Sequence, residues 1–162
     1  MILAIDPGNE FSAYVVLDKE LRPIDFGKVK NSVLYVDLPA IITNNNIEHI
    51  AIEMIACYGM AVGQTVFDTC VFIGVLTERV KEYGADVRYV YRKEEKMNLC
   101  HTMKAKDSNV SQALRDRFGE KGTIKNKGWF FGFKADIWQA YAVGVTYSDL
   151  YCKTGTNTRA IK

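Results

Sequence analysis

Three acidic side chains stand where a rigid scaffold would hold them. Asp6 closes the apolar run "ILAIDPG" (residues 2 to 8), Glu53 lies inside "HIAIEMI" (49 to 55), and Asp136 opens "DIWQAYAVGVTY" (136 to 147). Taken alone, an acid that ends a strand is the polar start of a turn, with Pro-Gly as its turn chemistry, and an acid at a helix start is a cap. Glu53, however, has apolar residues on both sides, and an acid in that setting needs a partner. If the two strands are parallel neighbours, Asp6 and Glu53 meet at the carboxyl-terminal edge of the sheet, where α/β proteins commonly build sites. Two ionised carboxylates that close repel unless a cation lies between them, and oxygen-only ligands select magnesium or manganese over zinc.

The elements that must position these acids follow from periodicity and turn residues. Residues 2 to 6, 11 to 18 and 22 to 29 read as strands of a β-meander, 48 to 54 as a fourth strand and "DVRYVYR" (86 to 92) as a fifth. Helices are expected over 33 to 44, weakened by Pro39, over 63 to 83 with a stop at Gly84, over 107 to 118 and over 135 to 151. The order βββ-α-β-α-β-α-α predicts an α/β fold: a mixed five-stranded sheet with helices on both faces. The long helix carries "CVFIGVL" (70 to 76), apolar nearly all round. A helix on a sheet needs one apolar stripe, so a second partner must cover the other side: another helix of this chain, or the same helix of a second subunit.

At 162 residues the chain is expected to form one domain, over residues 1 to 152, followed by a frayed basic tail, "KTGTNTRAIK" (153 to 162). Cys57, Cys70, Cys100 and Cys152 stand singly, without zinc-type spacing, which fits a reducing, intracellular setting. With no leader-type run and no apolar stretch of membrane-spanning length, a soluble, cytoplasmic protein with no membrane association is expected. The formal net charge is only +2, but the cations cluster. Arg88, Arg92, Lys93, Lys96, Lys104 and Lys106 occupy one segment. Lys121, Lys125, Lys127 and Lys134 surround Trp129, Phe130, Phe131 and Phe133 in another. Cations interleaved with aromatics suit contacts to nucleic-acid phosphates and bases; a solvated loop with aromatics tucked into the core has the same composition.

These motifs resemble the RuvC-type Holliday junction resolvases, particularly their compact phage branch, within the ribonuclease H-like superfamily. The resemblance spans roughly residues 2 to 150: "ILAIDPG" is similar to the first motif of the family, "AIEMI" to the second, and "DIWQAYAVGVTY" to the last helix, which in the family reads D-x-x-D-A. It implies Asp6, Glu53 and Asp136 as metal ligands. The fourth family acid falls on Gln139, a departure for which Asp107 is the reserve ligand. "KAKDSNVSQALRDRF" resembles the segment that supplies a basic residue near the scissile phosphate, here Lys106 with Lys104 in reserve. Tyr58 and Met60, in the loop after Glu53, take the place of the family's junction wedge, although either also fits a core or cap role. Arg92, Lys93, Lys104, Lys106, Lys125, Lys127 and Lys134 are the expected DNA contacts.

The implied function is metal-dependent hydrolysis of paired phosphodiesters in four-way or branched DNA. Two magnesium or manganese ions per site, about 4 Å apart, would activate a water and steady the leaving 3′ oxygen. A homodimer through helix 63 to 83 would place two sites on opposing strands. The resemblance implies the cytoplasm of a bacterial cell, with the gene carried by the host or a phage. His49 and His101 match no motif and read as structural. Two other functions share the fold: a ribonuclease H-like nuclease acting on general branched DNA or RNA–DNA hybrid, and a non-catalytic junction-binding module in which Gln139 marks a decayed site.

Overall fold

The computed structural model describes residues 1–59 and 61–152. Its first strand, β1 (Ile2–Asp6), is buried from Ile2 to Ile5 and emerges only at Asp6. A strand covered on both faces is apolar without alternation, which explains the unbroken "ILAI". The chain then turns at Pro7-Gly8, and a small polar knot fixes the turn. Gly8 N donates to Ser12 Oγ at 3.4 Å, Ser12 Oγ to Asn31 Oδ1 at 2.7 Å, and Asn31 Nδ2 returns to Gly8 O at 2.9 Å. A Cβ on Gly8 would lie 2.4 Å from the Phe11 carbonyl oxygen, so the close approach requires glycine.

β2 (Phe11–Leu17) and β3 (Pro23–Lys30) complete the antiparallel meander. After α1 (Asn31–Asn44), β4 (His49–Met54) enters parallel to β1, with Ile2 opposite His49 and Ile5 opposite Ile52. Asp6 and Glu53 follow directly after the last of these pairs. Beyond α2 (Gln64–Lys81), β5 (Asp86–Tyr91) pairs parallel to β4, giving the order β3-β2-β1-β4-β5 and the expected mixed five-stranded sheet.

α1 and α2 cover one face, packing Leu34, Leu38, Ile41, Ile73, Leu76 and Val80 on Leu3, Ile5, Ile50 and Ile52. α1 continues through Pro39, with Leu38 and Ile41 buried on either side: packing outweighs the lost backbone bond. α2 buries Thr69, Ile73, Leu76 and Val80, yet Phe67, Val71 and Val75 remain 54%, 68% and 41% exposed at four-residue intervals. α1 packs against α2 without covering that stripe.

α4 (Asp107–Phe118) and α5 (Ala135–Tyr147) cover the other face. α5 lies unusually close to the sheet, because a Cβ on Gly144 would come within 2.5 Å of Leu17 Cδ1 and 3.0 Å of the Ala4 methyl. A single π-helical turn, Ser148–Cys152, replaces the end of the helix expected over 135 to 151.

α3 (Arg92–Cys100) corrects the expected element order, which placed no helix between the fifth strand and residue 107. Its sequence, "RKEEKMNLC", has no continuous apolar stripe. Glu94 nevertheless caps it, accepting from Tyr91 N at 2.7 Å, and His101 closes it in the left-handed conformation at φ 56°. Asn98 and, from α4, Arg117 both donate to Asp149, at 3.0 and 2.5 Å, tying α3 and α4 to the π turn. No helix among the described residues is long and apolar enough to cross a membrane. The expected tail over residues 153 to 162 lies outside the described residues.

Candidate active site

Asp6 is the last residue of β1 and Glu53 the last but one of its parallel neighbour β4, and their carboxyls are in hydrogen-bonding contact. Burial pushes the Asp6 carboxyl up to about 9, the charge and hydrogen bond of Glu53 add to it, and Asp136 and Glu95 contribute more weakly. Without a cation the buried Asp6 carboxyl is held toward its protonated form by its acidic neighbour.

α5 brings Asp136 and Gln139 to the same edge. They line a cleft of about 280 Å³ together with Asp107, Ser108, Ser111, Ala135 and Trp138. Gln139 Oε1 is buried and has no hydrogen-bond partner among the described residues. Asp136 is tethered by an ion pair to Lys28 of β3, a partner that nothing in the sequence had pointed to. Among the described residues no three acidic, cysteine or histidine side chains close on a single ligating point; the site is two pairs, Asp6 with Glu53 and Asp136 with Gln139.

A further acid of this edge is Glu95, fully buried on α3 and absent from the expected set. Arg92 joins it to the others. Its Nη1 lies 3.0 Å from Glu95 Oε2 and 3.8 Å from Glu53 Oε1, while Nη2 pairs with Asp107. Burial, then the Glu53 charge, raises the Glu95 carboxyl well above the usual range, and Glu95 Oε1 accepts no hydrogen bond from any described residue. In sequence Glu95 reads as one charge on a solvated face; only the docking of α3 against α4 and α5 buries it.

The remaining candidates occupy different places. Lys106 and Lys134 immediately precede α4 and α5, whose first turns line the cleft, and both are exposed. Lys104 is exposed in the α3–α4 connection. Lys93 borders a separate groove with Met97 and Leu150. Lys125 and Lys127 project from the α4–α5 connection, Lys127 with its Nζ 5.2 Å from the centre of the Phe131 ring. Tyr58 is exposed at a turn after β4, in the left-handed conformation at φ 45°. Met60 lies outside the described residues. His49 accepts or donates in a 3.1 Å contact with the Tyr147 hydroxyl.

The donor set fits a hard divalent cation. Every candidate ligand is oxygen, Glu53 raises the Asp6 carboxyl by a repulsion that a cation would remove, and the buried Gln139 oxygen has its bonding capacity unused among the described residues.

A meander followed by two parallel strands, with acids gathered at the carboxyl edge, is a fold shared with solved Holliday junction resolvases. The particular likeness is to RuvC of Thermus thermophilus, at a TM-score of 0.74 and 18% identity, covering 96% of each chain. The same protein in complex with a Holliday junction substrate aligns at 0.75 and 16%, again over 96% of each chain. Ydc2, the yeast mitochondrial Holliday junction resolvase, aligns at 0.59 and 12% over 90% of this chain and 76% of that one. No protein-family model matches the sequence, and no curated protein matches it significantly.

Proposed function

We propose that this chain is a metal-dependent, structure-selective endonuclease that resolves four-way DNA junctions by paired phosphodiester hydrolysis. The observation that carries this reading is the Asp6–Glu53 carboxyl pair at the sheet edge, beside the Asp136–Gln139 cleft, in a RuvC-type fold.

Magnesium or manganese held by Asp6, Glu53, Asp136 and Gln139 would supply Lewis-acid polarisation of the phosphodiester and neutralise developing charge. The protein's own part is to hold oxygen ligands on rigid strand and helix ends. Arg92 orients Glu53 and Asp107. Lys106 and Lys134, at the starts of α4 and α5, bind the phosphates that flank the cleft, and Lys104 extends that surface. Tyr58, with Met60 beside it in sequence, meets the junction centre. The exposed stripe of Phe67, Val71 and Val75 joins two copies, so that two sites face opposing strands.

The deciding experiment compares cleavage of a synthetic four-way junction with duplex, fork and RNA–DNA hybrid, in magnesium and in manganese. Paired symmetric nicks in the junction are expected. Preferential cutting of the hybrid would assign another nuclease activity, and no cutting at any metal concentration would leave a binding module.

A further inference from the structure

The connection between α4 and α5 contains a feature that the catalytic reading leaves unused. Gly122 and Lys127 pair as an antiparallel bridge, Thr123 N donates to Asn126 O at 2.8 Å, and Asn126 N donates to Thr123 Oγ1 at 3.2 Å. Ile124 and Lys125 are therefore the two tip residues of a tight hairpin. Its legs touch: a Cβ on Gly122 would lie 2.0 Å from Gly128 N, and one on Gly128 would lie 2.1 Å from Glu120 O. Only glycine lets them close.

The base of the hairpin is equally fixed. Trp129 stacks on Phe118 with centroids 5.6 Å apart, and its Nε1 donates to the Tyr141 hydroxyl at 3.0 Å. Phe130 is fully buried against Trp138, at 4.6 Å between centroids, and Trp138 lines the acidic cleft. One aromatic block thus sets the position of both the hairpin and the site.

At the tip, Ile124 is 83% exposed, the most exposed large apolar side chain among the described residues. A scattered surface isoleucine needs no explanation. This one is held at the apex of a locked hairpin, and the flanking residues are Lys121, Lys125 and Lys127 rather than further apolar groups. The cores of protein interfaces are depleted of lysine, and three lysines surround this side chain in sequence. Cations on either side of one apolar side chain instead match the way proteins enter DNA: the cations hold phosphates while the apolar group wedges a base step apart.

We propose that Ile124 is a DNA wedge acting on a duplex arm of the substrate, with Lys121, Lys125 and Lys127 on the adjoining phosphates. The inference rests on the junction-nuclease reading for its substrate and adds a contact apart from the acids. The test places 2-aminopurine at successive positions along one junction arm and records fluorescence on binding in chelator, where cleavage is prevented. A rise of about twofold or more at one step is expected for the wild type, lost in Ile124→Ser and kept in Ile124→Leu, with junction affinity about fivefold weaker in Ile124→Ser. Unchanged melting temperatures would establish that the variants are folded. Equal signals and affinities in wild type and Ile124→Ser would overturn the wedge and leave the nuclease reading standing. A wild-type protein that binds no branched DNA would overturn both.

Discussion

The carboxyl of Asp6 is in hydrogen-bonding contact with that of Glu53 across two parallel strands, and burial together with that neighbour lifts Asp6 to about 9. The folded value is above the ordinary 3.8, so between roughly pH 4 and pH 9 the folded chain binds a proton that the unfolded chain has released. The pair has no effect below that window, destabilises increasingly as pH rises through it, and costs most above it. In chelator, the melting temperature should therefore fall between about pH 6 and pH 9. Asp6→Asn should flatten the fall without abolishing it, since Glu95 shifts in the same direction. A wild-type melting temperature that rises over that range would contradict the raised Asp6 carboxyl.

Magnesium or manganese should raise the wild-type melting temperature by binding the folded state alone, by about 2.7 kcal/mol at a hundredfold excess over the dissociation constant. Asp6→Asn should lose most of that stabilisation and all cleavage, while its junction affinity stays the same or tightens. Calorimetric melts with and without metal, beside gel-shift titrations, measure the two effects separately.

Gln139 places a buried amide oxygen, unpartnered among the described residues, one helical turn after Asp136. Gln139→Asp adds charge at that point and should lower the magnesium concentration needed for half-maximal cleavage. Asp107→Asn should weaken activity only modestly, because Asp107 is already engaged by Arg92. If Asp107→Asn abolishes cleavage and Gln139→Asp changes nothing, Asp107 is the fourth ligand.

Arg92→Met should destabilise the fold by roughly 1 to 3 kcal/mol, because it leaves the buried Glu95 Oε2 without its hydrogen-bond donor. The double variant Arg92→Met with Glu95→Leu should recover much of that loss, since replacing both members of a buried ion pair by apolar groups is close to neutral. Urea denaturation of the two proteins and the wild type measures the difference; equal losses in single and double variants would remove the pair from the stability of α3.

Val71→Asp places a charge at the centre of the exposed α2 stripe. Sedimentation at micromolar concentration should give a dimer for the wild type and a monomer near 18.3 kDa for the variant. A monomeric wild type would leave the stripe without the partner proposed for it.

The strands and two of the acids are legible in the sequence because an apolar run interrupted by a carboxylate has few physical explanations. Asp6 and Glu53 both break such runs, and parallel pairing alone brings them together. Glu95 is illegible for the opposite reason: within "RKEEKMNLC" a charge is the expected residue, and its burial comes from contacts remote in sequence. Lys28 is similarly hidden, since an exposed lysine on an edge strand is ordinary until Asp136 is placed beside it. The hairpin around Ile124 carries strong turn signals, but turn residues do not reveal that an aromatic block packs beneath them.

The tight seat of α5 at Gly144 makes that helix a lever with its fulcrum far from the chemistry. Gly144 and Asp136 are separated by eight residues, about 12 Å along the axis. A single methyl group at the fulcrum would meet Leu17 and Ala4, and the helix could accommodate it only by tilting or lifting. Its far end carries Asp136 and Gln139, so a displacement set by packing beneath the sheet would be delivered to the acidic edge. The proposed activity should therefore depend on side-chain volume at Gly144, a position buried between α5 and the sheet.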